Sequence, residues 1–469
     1  MTIIIILFRE NILTAFCLSI LRRSLSAALA TVILSACATG VTAQTVAATS
    51  DSAREQRVSE IAEEAIEKRL APGVLTMIRD AEGMVFFDAR GLSDMETARP
   101  LRPDDLFRMY SMTKPVATSV AMILVDDGTL SLDDPVSKWI PSFSGATVYE
   151  SGTTLENFKT RPLDRPVLIR DLMQHTAGLG YPFSQSDPVS ALFVYRGIET
   201  GSRADSPPAD GSAPPATLGE MVDRLATIPL RTQPGEAFTY GNATDVLGRV
   251  IEAATGQRLS TVMAERLFEP LGMKDTFFSV PDDRHDRLTS AYRAITQART
   301  QDAILDLADI DSLPAGELAR VDEAATSPFS RPYPIDFGGA GLVSTADDYL
   351  RFAQMIANGG VLDGARVLSE ESVAQMLTGS LPEKARQTPG LAGRGLDFGL
   401  GFAILEDPSI SGLSIPSGTA FWGGAASTIF WVDPGNQMSG VILTQVFGGD
   451  FRAAYLGMID AWYRESESP

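Results

Sequence analysis

Thiols and imidazoles are scarce in this chain of 469 residues. Its two cysteines, Cys17 and Cys37, both fall in an apolar N-terminal stretch. Everything downstream therefore lacks an internal disulfide, a thiolate metal site and a cysteine nucleophile. Only His175 and His285 supply imidazoles, and no Gly-x-Ser-x-Gly elbow occurs, so a conventional Ser-His-Asp triad has few candidates. His285, within PDDRHDR, reads as solvated, and His175, within MQHTAGLG, as a residue that holds loop geometry. Positive charge is short as well: 39 Lys and Arg stand against 59 Asp and Glu, a net charge of −20. That balance argues against a phosphate backbone or an anionic bilayer as the partner of the folded part, and no nucleic-acid partner is expected.

What is present suits a globular protein, with 44% apolar and 21% charged residues. Arg22-Arg23 followed by SLSAALATVILSACATGVTAQ is a basic segment leading into a short apolar one, the pattern of an export signal within residues 1–43. Leu34-Ser35-Ala36-Cys37 resembles a lipobox, in which Cys37 would carry a lipid anchor. Val41-Thr42-Ala43 before Gln44 is the competing cleavage site of a freely secreted protein. Either way the mature chain is expected in the periplasm or as an outer-membrane lipoprotein of a bacterium. A second apolar run, residues 1–20, makes this signal unusually long, and a start codon further along would account for it. Residues 44–52, QTVAATSDS, read as a linker, with one folded domain over 53–469.

Apolar positions from Val58 to Leu70 keep helical spacing until Pro72-Gly73. VLTMI at 74–78 and MVFFDA at 84–89 flank a short turn and predict a hairpin. GLGFAIL at 399–405, STIFWV at 427–432 and GVILTQV at 440–446 are further strand candidates, followed by the helical pattern AAYLGMIDAWY. Strands thus cluster at both ends of the chain, while the middle reads as helix and loop. The fold class is α+β: an antiparallel sheet flanked by terminal helices, with a mostly helical subdomain inserted. The Pro- and Ser-rich stretch at 202–217 reads as a mobile surface loop.

Three short motifs carry chemistry. In RMYSMTKPVAT, Ser111 stands three residues before Lys114, and no other lysine has a serine at that spacing. Val116, Val120, Ile123 and Leu124 continue at helical spacing, which puts both side chains on one face of an apolar helix, Ser111 on its first turn. The serine is either a nucleophile or a helix cap. Tyr240-Gly241-Asn242 precedes a second helical pattern; the plain alternative is a core tyrosine with Asn242 as N-cap. Trp422-Gly423-Gly424 opens a strand candidate, where the glycines mark either close backbone approach or a bulge.

Together, in this order and at these separations, the motifs resemble those of the class C β-lactamase and penicillin-binding superfamily of serine hydrolases. LSLDDPVSKWIP, IRDLMQHTAGL, RLFEPLGMKDTFF and GGAGLVSTADDYLRFAQMIANGG extend the resemblance over roughly residues 53–465. The superfamily usually has Lys-Thr-Gly or His-Thr-Gly as its third motif. Trp422-Gly423-Gly424 stands there instead and is similar to family VIII carboxylesterases, which share the β-lactamase-like fold and act mainly on esters.

The resemblance implies Ser111 as nucleophile, Lys114 and Tyr240 as its base system, and the N–H groups of Ser111 and Ala425 as oxyanion hole. Asn242 would orient Lys114 or the acyl group, beside Trp422, Gly423 and Gly424. No metal and no organic cofactor is implied. Lowering a lysine from about 10.4 to about 7 takes roughly 4 to 5 kcal/mol, which burial on the helix face with no carboxylate nearby could supply. An indole in place of a cation favours a neutral small-molecule acyl ester over a β-lactam-like substrate. The alternatives are a β-lactamase or D-alanyl-D-alanine carboxypeptidase-like amide hydrolase, and further off a transacylase or a non-enzymatic cell-wall binder.

Overall fold

The computed structural model describes residues 41–182, 187–198, 208–294, 317–389 and 391–464. The export signal with Cys17 and Cys37 therefore lies outside the described residues. Residues 57–464 form one compact unit.

The first helix, α1, runs Val41–Glu67. It includes the stretch 44–52 that was expected to be a linker. No glycine or proline interrupts the chain between Gly40 and Pro72, so nothing in the small residues of QTVAATSDS stops helix propagation from the periodic segment behind it. Val58, Ala62 and Ala65 on this helix are buried.

Strands β1 (Gly73–Arg79), β2 (Met84–Asp94) and β3 (Arg99–Pro100) come next. Late in the chain follow β4 (Leu396–Phe398), β5 (Ala403–Leu405), β6 (Ala420–Gly424), β7 (Thr428–Asp433) and β8 (Met438–Leu443). They form one sheet in the order β4-β5-β6-β7-β8-β1-β2-β3, antiparallel throughout. The first and last parts of the chain meet where Leu75 pairs with Leu443. Two expected strands are shorter than their apolar runs. Residues 399–402 form the hairpin turn between β4 and β5, closed by the Gly399 N–H on the Phe402 carbonyl. Val446–Phe447 leaves the main sheet to pair with Ala291–Ala294.

Four further helices matter here: α2 (Thr113–Asp126), α3 (Ala243–Thr255), α4 (Ala346–Ala357) and α5 (Phe451–Tyr463). α2 is buried from Thr113 to Leu124, as expected of a helix apolar on nearly every side. Strand alternation sorts the packing on β6 and β7. Trp422 and Phe430, paired across those strands, point to the α4 side, where the Tyr349 ring lies 5.0 Å from Phe430. Phe421 and Trp431 point the other way, into an apolar cavity also lined by Leu456 and Ile459 of α5. That cavity is on the far side of the sheet from Trp422 and takes no part in the site below.

Among the described residues no helix is long and apolar enough to cross a membrane. The stretch at 202–217 is described from residue 208 on. There Arg224 holds it, donating to the Ser212 hydroxyl at 3.2 Å and the Ala213 carbonyl at 2.6 Å. His285, expected in solvent, is half-buried with Nε2 3.0 Å from the Val280 carbonyl oxygen.

Candidate active site

Ser111 does not cap a helix. It lies in a short 3-10 turn, Tyr110–Met112, that leads into α2, and no side chain caps the start of α2. The turn is clamped on both sides. The Met109 N–H donates to the Leu342 carbonyl at 2.8 Å, the Tyr349 hydroxyl to the Met112 carbonyl at 2.7 Å, and the Leu342 N–H to Thr113 Oγ1 at 3.1 Å. Within this clamp Tyr110 adopts φ of 44°, a left-handed conformation costly for a bulky residue. The strain sits immediately before a half-buried serine.

Lys114, 1% exposed, turns its Nζ back toward that serine. The amine is 3.2 Å from Ser111 Oγ, 3.0 Å from the Tyr181 hydroxyl and 2.7 Å from the Gly339 carbonyl, with the Tyr240 ring centroid 4.7 Å away. Three acceptors match the three donors of an ammonium. Burial pulls its pKa down, but the phenol oxygens of Tyr181 and Tyr240 outweigh burial and hold the amine above its ordinary range. Burial, the expected route to a neutral lysine, is therefore opposed here by the oxygens gathered around the amine.

The expectation of no carboxylate nearby is corrected. Asp245 on α3 is 2% exposed; burial pushes its carboxyl up and the Lys114 charge draws it part of the way back. Its Oδ1 accepts the Gly339 N–H at 2.9 Å and its Oδ2 the Asn242 Nδ2 at 3.1 Å. Asn242 occupies the N-cap position of α3 without capping through its side chain. Its side-chain amide holds the carboxylate that holds Gly339.

Tyr240 is half-buried, with ring centroids of His175 at 4.8 Å, Trp422 at 5.3 Å and Tyr181 at 5.6 Å. The residue after it must be glycine, because a Cβ on Gly241 would come within 2.3 Å of the Leu179 carbonyl oxygen. Trp422, 4% exposed, packs edge-on to Phe398 with centroids 5.2 Å apart. Two residues on, a Cβ on Gly424 would lie 2.4 Å from the Met109 carbonyl oxygen, so glycine lets β6 close on the turn that carries Ser111. Gly423 lies between them on β6, and exposed Ala425 follows in a turn closed by the Ser427 N–H on the Gly424 carbonyl at 3.1 Å.

The structure thus gathers Ser111, Lys114, Tyr240 and Trp422 in one cluster of contacts, with Gly424 against the Ser111 turn and Asn242 bonded to Asp245. Tyr181 and Asp245 escaped sequence reasoning. Tyr181 has one signal, its place at the end of the Gly-containing run HTAGLGY, and Asp245 none beyond facing the same side of α3 as Asn242. Among the described residues no group of His, Cys, Asp and Glu side chains could hold a metal ion. A serine touching a buried amine that two phenols flank, on a turn that a strand closely approaches, suits acyl transfer.

The beta-lactamase family profile matches residues 58–461. The chain belongs to the beta-lactamase family. It is 31% identical to esterase EstB of Burkholderia gladioli over 408 residues, covering 86% of this chain and 91% of EstB. Among solved structures it is similar to EstCE1, described as a hydrolase with promiscuous acyltransferase activity, at 29% identity and a TM-score of 0.69, covering 88% of this chain and 99% of EstCE1. Simvastatin synthase LovD from Aspergillus terreus shares the fold at 22% identity and a TM-score of 0.68, over 87% of this chain and 97% of LovD. This member of the beta-lactamase family is accordingly a serine hydrolase of esterase type with the β-lactamase-like fold expected from its motifs.

Proposed function

We propose that the protein hydrolyses neutral carboxylic esters through an acyl-enzyme on Ser111, with Lys114 and Tyr240 as a shared base. The carrying observation is the 3.2 Å contact between Lys114 Nζ and Ser111 Oγ, inside a wall of Tyr240 and Trp422. Ser111 Oγ attacks the ester carbonyl carbon, and its proton passes to the deprotonated member of the Lys114–Tyr240 pair. The ammonium charge stabilises the oxygen as it loses that proton. The N–H groups of Ser111 and Ala425 receive the tetrahedral oxyanion. The pair returns the proton to the departing alkoxide, and water then repeats the sequence on the acyl-enzyme. Trp422 brings no cation to attract a carboxylate, which supports neutral esters over β-lactams.

The test is steady-state turnover of nitrophenyl butyrate beside a chromogenic cephalosporin, with Ser111→Ala as control. Ester turnover that disappears in the variant, with an acyl adduct on Ser111 seen by mass spectrometry, supports the reading. Rapid cephalosporin turnover with negligible ester turnover overturns it in favour of an amide hydrolase.

The likeness to EstCE1 favours a second reading, capture of the acyl group by an alcohol instead of water. Formation of a new ester when a small alcohol is added tests it. We also propose that the mature chain is exported and anchored through Cys37. Labelled palmitate incorporated by the wild type and absent from Cys37→Ser would support the anchor.

A further inference from the structure

His175 is a buried titratable side chain against Tyr240 for which the acylation sequence above has no use. It is 1% exposed, with φ of 55°. Its ring meets Tyr240 edge-on at 4.8 Å and is walled on its other sides by Phe238 and Phe398, each 5.7 Å away. Its carbonyl accepts the N–H of Thr239, the residue before Tyr240, at 2.7 Å. Backbone and ring of His175 thus grip the same tyrosine from two directions. The grip is anchored at Asp171, which pairs with Arg165 at 2.6 Å and accepts the Thr176 hydroxyl at 3.2 Å.

We propose that His175 is a positioning residue for the Tyr240 phenol: an uncharged ring that sets the plane of Tyr240 and, on taking a proton, switches the site off. This rests on the esterase reading above. Packing alone does not require a histidine, since a phenylalanine fills similar space. What distinguishes the imidazole is Nδ1, buried without a hydrogen-bond partner among the described residues. A proton placed there has no acceptor and faces the charge of Lys114. The carboxylates on neighbouring elements are committed elsewhere: Asp171 to Arg165, Asp245 to Gly339 and Asn242, and Asp397 to Arg386. Tyr181 and Tyr240 face Lys114 and leave the imidazole without a compensating anion. Burial first, and then Lys114, push the imidazole well below its usual range, so the ring is neutral at ordinary pH.

The experiment compares wild type, His175→Asn and His175→Phe. Asparagine tolerates the left-handed backbone but removes the ring; phenylalanine keeps the ring and removes the nitrogens. Two readouts are taken across pH: kcat and KM for nitrophenyl butyrate, and the rate at which a fluorophosphonate labels Ser111. His175→Asn should lose roughly tenfold or more in kcat and labelling rate, with KM changed less than about threefold. His175→Phe should keep kcat within about threefold and lose less activity at low pH than the wild type, the loss that remains being that of the Lys114–Tyr240 pair. Wild-type kcat, labelling rate and pH profile in His175→Asn, with only Tm lowered, would overturn the proposal. Labelling at Ser111 without ester turnover in the wild type would sink the esterase reading while the labelling comparison still decided the role of His175.

Discussion

Lys114 and Asp245 are joined through a single residue, Gly339, whose carbonyl takes the ammonium at 2.7 Å and whose N–H is taken by the carboxylate at 2.9 Å. The buried acid therefore stabilises the buried base without locking it in an ion pair. A direct pair would fix the proton on the amine; the intervening peptide leaves the amine aimed at Ser111 and Tyr181.

Asp245→Asn should weaken this arrangement without breaking it. The carboxylate favours the ammonium, so removing its charge lowers the pKa of Lys114 and moves the pH–activity profile toward acid. We expect kcat to fall roughly 10- to 100-fold with a smaller change in KM. A profile unchanged in position, measured as kcat/KM across pH, would refute the electrostatic link.

The two tyrosines should separate by role. Tyr240→Phe removes the oxygen assigned to proton transfer and should cost roughly 10²- to 10⁴-fold in kcat. Tyr181→Phe removes one of the three acceptors around Lys114, and a loss nearer tenfold is expected. Equal losses in stopped-flow acylation rates would mean the two phenols cannot be told apart.

Close approach of β6 predicts a steep contrast between adjacent glycines. A Cβ at Gly424 meets the Met109 carbonyl oxygen at 2.4 Å, whereas at Gly423 the nearest atom is the Thr428 carbonyl oxygen at 3.0 Å. Gly424→Ala should therefore displace the strand from the nucleophile turn and lower kcat at least tenfold more than Gly423→Ala does. Fluorophosphonate labelling of Ser111 in both variants reads this out.

Stability should respond to Asp348, in the first turn of α4. Burial pushes its carboxyl up to about 6, although the Asp275 N–H at 2.6 Å and the Thr276 hydroxyl at 2.9 Å both donate to its Oδ2. The folded state then holds a proton that the unfolded chain gives up near pH 4, so stability falls as pH rises from about 4 to about 6 and stays lower above. Asp348→Asn keeps an acceptor oxygen and should stabilise by up to about 3 kcal/mol above pH 6, with no gain near pH 4. Denaturant melts at the two pH values check the difference.

Much of this site can be read from the chain because its chemistry is carried by residues close in sequence. Ser111 and Lys114 are one helical turn apart, and Gly241 and Gly424 report tight contacts through their own absence of a side chain. The hairpin of β1 and β2 and the closing helix α5 were legible for a similar reason, as local periodicity. Gly339 and Tyr181 were not, because the packing of separate loops brings them to Lys114. The surroundings of that lysine were half legible on the same ground: burial could be inferred from an apolar helix, but not the oxygens gathered around the amine. The strained backbone of Tyr110 likewise follows from clamps at Leu342 and Tyr349, far along the chain.

The pairing of Leu75 with Leu443 has a consequence for how the molecule is made. An emerging polypeptide holds β1 and β2 long before their neighbour β8 is made, so the sheet cannot zip up in the order of translation. Ser111 waits equally long for Gly424. A ribosome that stops before β6 releases a chain with no working centre and with an unpaired strand open to aggregation.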